Sequence, residues 1–201
     1  IEDRRSKPCD DMMTYLTTVE LDGQRLTDDE ILDISYLFLL GGLDTVTATL
    51  GCSMAYLASN PEQRRKLVAR PELIPNAFRE GLRFGMPTQF LGRTVVKPVQ
   101  LHGKTFKPGQ AVIFLFPSAN RDEREFANPD RFDIHRESKR ILTFGHGNHS
   151  CLGIHIAALE GELATRHLLA RMPEYQIVES GIERLKSEFV AGIVGLPAIA
   201  G

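Results

Sequence analysis

One ten-residue stretch of the sequence concentrates side chains that can bind a metal ion. FGHGNHSCLG, residues 144–153, contains His146, His149 and Cys151 among three glycines, and His155 follows closely. A zinc site needs four ligands and commonly pairs cysteines at short spacing, but no second cysteine lies nearby. A buried cysteine that only packs would not need the flanking glycines, although such cysteines are common. A third interpretation, in which Cys151 is the one ligand of a larger group, accounts for more of these residues.

Cys151 stands immediately before a helical pattern, and that position favours a thiolate. Unpaired backbone N–H groups and the positive end of the helix dipole stabilise a negative charge there. We expect Gly153 to let backbone donors approach the sulfur, and Gly145 and Gly147 to permit a tight loop that presents it. A single thiolate on an apolar platform beside Phe144 is what a haem iron needs on one side.

The whole stretch resembles the haem-binding signature of the cytochrome P450 monooxygenases, with every fixed position filled. The resemblance implies that Cys151 is the axial ligand of haem b. It also implies that His149 hydrogen-bonds a haem propionate.

A second motif, GGLDTV at residues 41–46, resembles the distal-helix motif of the same family. Splitting dioxygen in an apolar pocket requires a hydroxyl and a proton relay. The resemblance implies that Thr45 holds the oxygen and donates to it, while Asp44, about 100° away around the helix, shuttles protons from solvent. Gly41 and Gly42 each cost about 1 kcal/mol in a helix relative to alanine, which predicts a local opening or a close approach of the cofactor at Gly41.

A third motif pairs Glu80 with Arg83 in REGLRF. The i, i+3 spacing puts both residues on one helix face, where a solvated surface pair that contributes little is the default. In the family the pair joins a basic residue of an irregular loop, and NPDRFD offers Arg131 for a buried network that supports the loop. Arg93, in FLGRTVV, stands where the family places a propionate-binding arginine, whose guanidinium suits a carboxylate; an exposed surface arginine is the alternative.

The elements that position these residues are mainly helical. LTDDEILDISYLFLL begins with Thr27 as an N-cap and Glu30 completing a capping box, and the pattern continues to about Ser59. Two shorter helices follow at residues 61–70 and 72–84. Short strands divided by HGK and KPGQ, an irregular loop over residues 117–134, the cysteine-loop helix and two strand-like ends complete the chain.

These elements predict one domain, residues 1–201, mainly α with small antiparallel β elements. No repeat or flexible linker divides it. The resemblance implies that it is the C-terminal haem-binding half of a cytochrome P450 fold, truncated at the N-terminus. In that case the apolar long helix, with Ile31, Ile34, Tyr36, Leu37 and Leu40, is expected to be buried on most sides in the whole protein. Left bare, it would favour self-association.

Composition excludes several classes of protein. With 24 basic and 26 acidic residues and a net charge of −2, the chain shows no surface for nucleic acid. Three cysteines form no disulfide framework, which favours the cytoplasm. The longest apolar stretch is interrupted by Asp33 and Asp44, so we interpret it as a buried helix and predict no membrane span.

The resemblance implies a soluble, bacterial-like monooxygenase that inserts one oxygen atom of O2 into a small apolar organic substrate. Electrons are expected from a separate ferredoxin- or flavin-type reductase, because the sequence contains no nucleotide or iron–sulfur motif. The alternative is a truncated, non-catalytic fragment that binds haem weakly or not at all.

Overall fold

Seven α-helices and ten short strands account for the regular structure of this computed structural model, which describes residues 1–201. The helices are α1 (Glu2–Ser6), α2 (Met12–Thr18), α3 (Asp28–Ser59), α4 (Pro61–Ala69), α5 (Ile74–Phe84), α6 (Phe116–Ala119) and α7 (Ile154–Arg171). The strands are β1 (Glu20–Leu21), β2 (Gln24–Arg25), β3 (Phe90–Thr94), β4 (Val99–Leu101), β5 (Lys104–Phe106), β6 (Ala111–Leu115), β7 (Tyr175–Ile177), β8 (Glu183–Arg184), β9 (Ile193–Gly195) and β10 (Ala198–Ala200). They form the antiparallel pairs β1–β2, β3–β6, β4–β5, β8–β9 and β7–β10. The predicted mainly α architecture with small antiparallel strands is confirmed.

The chain divides into two compact units, Ile1–Leu43 and Asp44–Gly201. In the first unit, an ion pair of 2.5 Å between Arg4 and Asp11 ties α1 to the start of α2. The β1–β2 hairpin turns at Asp22 and Gly23, whose φ angles of 52° and 78° are those that a tight hairpin turn demands.

The predicted capping box begins α3. The Thr27 N–H donates to Glu30 Oε2 at 2.8 Å, and the Glu30 N–H donates to Thr27 Oγ1 at 3.3 Å. The helix then continues without interruption through Gly41 and Gly42. The predicted local opening is therefore wrong: both glycines remain helical, and a Cβ added at either would meet nothing within 4 Å.

Much of the apolar surface of α3 is exposed in this chain. Ile31 is buried and Ile34 half-buried, but Tyr36, Leu37 and Leu40 are 65%, 59% and 58% exposed. This bare face agrees with the expectation for a chain that lacks a covering segment, and burial on most sides in the whole protein stays a prediction. By length and composition α3 could also cross a membrane, a test that core helices of soluble proteins pass too. Self-association through this face stays a prediction.

The turns that divide the strands follow the predicted residues. His102 and Gly103 connect β4 and β5 with φ angles of 47° and 73°, and Gly109 has a φ of 84° within KPGQ. After α6 the chain has no helix or strand until the 3₁₀ turn at Gly147–His149, so the predicted irregular loop over residues 117–134 is confirmed apart from its first turn.

The core of the second unit joins the C-terminal end of α3 to α4, α5, α7 and the irregular loop. Rings of Tyr56, Phe84 and Phe132 lie with centroids 5.0–5.9 Å apart. Burial raises the pKa of Tyr175 to about 12, and its hydroxyl donates to the Met54 carbonyl at 2.8 Å. The buried apolar cluster consists of Leu57, Leu67, Ile74, Ala77, Phe132, Ile134, Leu169 and Tyr175.

Helices α5 and α7 approach closely at Gly161. A Cβ added to Gly161 would lie only 1.9 Å from Cζ of the Phe78 ring. Both residues are buried, so the ring has little room to move. The glycine therefore sets the distance between the two helices.

Replacing Gly161 with alanine should lower the free energy of unfolding by about 1–3 kcal/mol, the usual cost of overpacking a core. Phe78→Leu removes Cε1, Cε2 and Cζ, the atoms that the added Cβ would meet, so the double variant should lose less stability than the two single variants together. Chemical denaturation of the four proteins measures this. Additive losses would contradict the contact.

Candidate functional site

The cysteine loop, residues 142–151, is held together by backbone hydrogen bonds. The Cys151 N–H donates to the Phe144 carbonyl at 2.8 Å, and the Gly145 N–H donates to the Leu142 carbonyl at 3.0 Å. Phe144 is half-buried, whereas the Cys151 thiol side is exposed. The loop therefore presents a thiol at the surface from a closed backbone.

Two glycines allow this closure. Gly145 and Gly147 have φ angles of 69° and 70°, a region that side chains other than glycine rarely adopt. A Cβ at Gly145 would also lie 3.2 Å from the His149 carbonyl oxygen. The predicted role of both glycines in the loop has a direct conformational basis.

The relation of Cys151 to the following helix differs from the prediction. Helix α7 begins at Ile154 with Gly153 as its N-cap, three residues after Cys151 rather than at it. Cys151 itself lies in the loop, where its N–H donates to the Phe144 carbonyl. A Cβ at Gly153 would lie 4.0 Å from Cys151 Sγ, an ordinary contact, so space alone does not require a glycine.

Two apolar side chains close to Cys151 in the sequence are exposed. Leu152 is 72% exposed, and Ile156, in the first turn of α7, is 59% exposed. His146 and His149 are exposed, and no group of three or more His, Cys, Asp or Glu side chains is placed to hold a metal ion anywhere in residues 1–201. A single soft sulfur donor on an apolar surface fits a flat, apolar group that carries its own metal.

The other cysteines offer a different environment. Cys52 is buried within α3, and burial raises the pKa of its thiol, which keeps it protonated and unreactive. Cys9 is exposed and its Sγ hydrogen-bonds the Lys7 carbonyl at 3.7 Å. Only Cys151 combines exposure with a closed glycine loop.

The residues of the second motif lie on one continuous helix. Asp44 is exposed and Thr45 is half-buried, and the Thr45 carbonyl accepts a hydrogen bond from Thr49 Oγ1 at 2.7 Å. Asp44 lines a cleft of about 90 Å³, together with Thr47, Ala48, Leu185, Gly192, Ile193 and Val194. A solvent-accessible carboxylate next to a half-buried hydroxyl can pass protons inward from water.

Arg93 lies in β3 with an exposed side chain. Its Nη1 donates to the Gly92 carbonyl at 2.8 Å. Since a guanidinium has five N–H donors, most of them remain for an anion such as a carboxylate.

Glu80 and Arg83 form a completely buried ion pair, so the surface-pair alternative is wrong. Arg83 Nε donates to Glu80 Oε2 and Nη2 donates to Oε1, both at 2.8 Å, and both side chains are 0% exposed. The remaining N–H groups of Arg83 donate to the carbonyls of Asn120, Pro129 and Arg131 at 2.8, 2.9 and 3.3 Å. The pair thus connects α5 to the irregular loop.

The loop arginine of this network is Arg136 and not Arg131, which corrects the sequence prediction. Arg136 Nε donates to Glu80 Oε1 at 3.2 Å. Arg131 contributes its backbone carbonyl, which accepts from both Arg83 and Arg136, and its side chain is exposed. The physical reason is that the inward carbonyl of Arg131 leaves its side chain on the outer surface of the loop.

Sequence reasoning also missed Asn120, which is fully buried and bonded to Arg83. It stands in the aperiodic loop, where no periodic pattern distinguishes a buried residue from an exposed one. Arg131 and Arg136 were equally indistinguishable by spacing. The composition of the loop was the only available signal, since a buried carboxylate needs a basic partner nearby.

Comparison with known proteins identifies the family. Residues 68–173, more than half of the chain, match the family model described as Cytochrome P450. The chain belongs to the cytochrome P450 family. This is a haem-binding family, so the P450 chain is expected to contribute to a haem site.

Individual relatives of the P450 chain agree. It is 36% identical to a steroid C26-monooxygenase of Mycobacterium tuberculosis over 98% of this chain and 53% of that protein. It is 40% identical to cytochrome P450 130 of the same species, covering 98% and 49%. A crystal structure of CYP109E1 from Bacillus megaterium with testosterone superposes with a TM-score of 0.94 at 32% identity, covering 99% of this chain and 55% of that one. The chain spans about half the length of the relatives it matches.

The corrected network predicts unequal effects of two similar substitutions. Arg136→Ala should lower the free energy of unfolding by about 1–3 kcal/mol, because buried acceptors lose their donor. Arg131→Ala should change it by no more than about 0.5 kcal/mol, as is usual at the surface. Urea denaturation measures both, and a larger loss for Arg131→Ala would restore the original assignment.

Proposed function

We propose that the protein carrying this chain is a haem-thiolate monooxygenase that binds haem b through Cys151. The observation that carries the proposal is the exposed Cys151 thiol in a closed glycine loop, beside the exposed apolar side chains of Leu152 and Ile156. The family supports haem as the cofactor. The P450 relatives support a monooxygenase reaction.

Different residues of the chain would bind the iron and the propionates of the cofactor. Cys151 would provide the sulfur ligand, and haem held there would supply an iron that activates O2 with help from the thiolate. Arg93 and His149, both exposed, bind the propionates as charged and polar donors. Gly41 stays a proposed cofactor contact, since it has no side chain and an added Cβ would meet nothing within 4 Å.

We assign proton delivery to Asp44 and Thr45 in α3. The overall reaction consumes the substrate, O2, two electrons and two protons, and yields the hydroxylated product and water. Asp44 takes protons from solvent, since its carboxylate is exposed at an open cleft. Thr45, half-buried on the adjacent position, donates through its hydroxyl.

P450 monooxygenases use a redox partner, and for this protein we propose a separate ferredoxin- or flavin-type reductase. We place the protein in the cytoplasm, where its free cysteines stay reduced.

The substrate is an apolar organic molecule, and steroids are the first class to examine. One relative is named a steroid C26-monooxygenase, and one solved relative binds testosterone. A change in the ferric haem spectrum on addition of testosterone would support this class. A spectrum unchanged up to its solubility limit would exclude testosterone.

Cys151→Ser should abolish the thiolate-specific difference band of the reduced, carbon-monoxide-bound protein, because serine is a poor iron ligand. The matched control is Cys9→Ser, which removes another exposed cysteine and should leave the band unchanged. Visible spectroscopy of the full-length protein measures both. A band that survives Cys151→Ser would overturn the ligand assignment, and its absence from the unsubstituted protein would favour the non-catalytic alternative.

Thr45→Ala should uncouple oxygen consumption from product formation. Positioned proton donors contribute about 10²–10⁴-fold to a rate, so product per O2 consumed should fall by about tenfold or more. Thr45→Ser keeps the hydroxyl and should retain coupling. Oxygen-electrode traces with product analysis measure the ratio, and tight coupling in Thr45→Ala would contradict the role.

A further inference from the structure

Asn120 is a fully buried polar residue that the proposed mechanism does not use. It follows α6, where its backbone N–H donates to the Phe116 carbonyl at 2.9 Å. Its own carbonyl accepts from Arg83 Nη1 at 2.8 Å. The backbone of Asn120 is therefore held directly by the buried ion pair.

The Asn120 side chain contacts Leu142 and Thr143, the first two residues of the cysteine loop. Its Oδ1 accepts the Leu142 N–H at 2.7 Å, and its Nδ2 donates to Thr143 Oγ1 at 3.0 Å. The Thr143 hydroxyl in turn donates to the Leu82 carbonyl of α5 at 2.9 Å. A flipped amide would direct its NH2 group at the Leu142 N–H, two donors facing each other, so the partners determine the orientation.

The anchored residues continue into the loop that carries the thiol. Leu142 is held on both sides, because its carbonyl accepts the Gly145 N–H at 3.0 Å. Thr143 immediately precedes Phe144, whose carbonyl accepts the Cys151 N–H at 2.8 Å. Hydrogen bonds at Thr143 and at Phe144, joined by the peptide bond between these two residues, thus connect Asn120 to the backbone of Cys151.

Loss of the fully buried Asn120 amide would leave its half-buried partners, the Leu142 N–H and the Thr143 hydroxyl, without that hydrogen bond. A buried donor or acceptor without a partner is costly, so Leu142 and Thr143 would shift to find other partners. Because the loop is closed by only a few backbone bonds, that shift would be transmitted to Cys151. Residues that orient a metal ligand without touching the metal commonly affect metal affinity by about 10–100-fold.

We propose that Asn120 is a positioning residue for the Cys151 thiolate, acting through Leu142 and Thr143. The role links the Glu80–Arg83 pair to the geometry of the cysteine loop. It rests on the proposed function, in which Cys151 ligates haem iron.

The test compares two asparagines in the full-length, haem-loaded protein. Asn120→Ala removes the anchor, and Asn76→Ala removes a similar amide that donates to the Ile134 and Arg136 carbonyls at 2.5 and 3.2 Å. Both changes release the irregular loop, but only the first touches Leu142 and Thr143. The readouts are the rate of haem transfer to apomyoglobin, the ferric/ferrous reduction potential and the thiolate-specific carbon-monoxide band.

Asn120→Ala should lose haem about tenfold faster or more, shift the potential and convert part of the band to the neutral-thiol form. Asn76→Ala should lower stability and leave all three readouts as in the unsubstituted protein. Equal changes in both variants, or none in Asn120→Ala, would overturn the positioning role. An unsubstituted protein without the thiolate band would instead contradict the proposed function on which the role rests.

Threonine 143 provides a second route if Asn120→Ala does not fold. Thr143→Val removes the hydroxyl that accepts from Asn120 while keeping the shape of the side chain, and it should change haem loss and potential in the same direction. Thr143→Ser keeps the hydroxyl and should restore both. Identical haem loss and potential in Thr143→Val and Thr143→Ser would contradict the proposal.

Discussion

A buried ion pair stabilises a fold only when its hydrogen bonds are complete, and the second unit is organised around one. Removing Glu80 and Arg83 from water costs several kcal/mol per ion. Each of the five N–H groups of Arg83 has an acceptor: the two carboxylate oxygens of Glu80 and the carbonyls of Asn120, Pro129 and Arg131. These carbonyls belong to a loop that has no regular helical or strand hydrogen bonds of its own. The guanidinium of Arg83 therefore holds the loop in its conformation.

The carboxylate of Glu80 also holds the loop, because it accepts hydrogen bonds from loop residues. Glu80 Oε1 also accepts the Asp133 N–H at 3.0 Å and Arg136 Nε at 3.2 Å. Arg136 extends the pattern, donating to the Ala127 and Asn128 carbonyls at 2.7 and 3.0 Å. Its side chain is 12% exposed, so water solvates part of the second positive charge. The conformation of the loop is therefore determined by the charges of Glu80 and Arg83 in α5 and of Arg136 in the loop itself.

The sequence could predict features that have local causes, but not those that depend on partners far away in the chain. The capping box of Thr27 and Glu30 and the turn at Gly103 have local causes, and spacing of three or four residues revealed them. The choice of Arg136 over Arg131 and the burial of Asn120 depend on the path of an aperiodic loop. Such a path follows from distant partners, which a single sequence does not display. The bare face of α3 was predictable, because its apolar residues occur nearly all round the helix and the other predicted elements of the chain are too few to cover it.

Helix α7 has two apolar sides, and the chain covers only one. Gly161 and Leu169 are buried, on the side where α5 packs, whereas Ile156, Leu159 and Leu163 are 59%, 57% and 43% exposed along the opposite face. A row of apolar side chains in water requires a cover. At the end of the row nearest the cysteine loop, the uncovered surface adjoins the exposed thiol of the chain's one glycine-closed cysteine. The haem that we propose at Cys151 would therefore cover exposed apolar side chains near this end of α7.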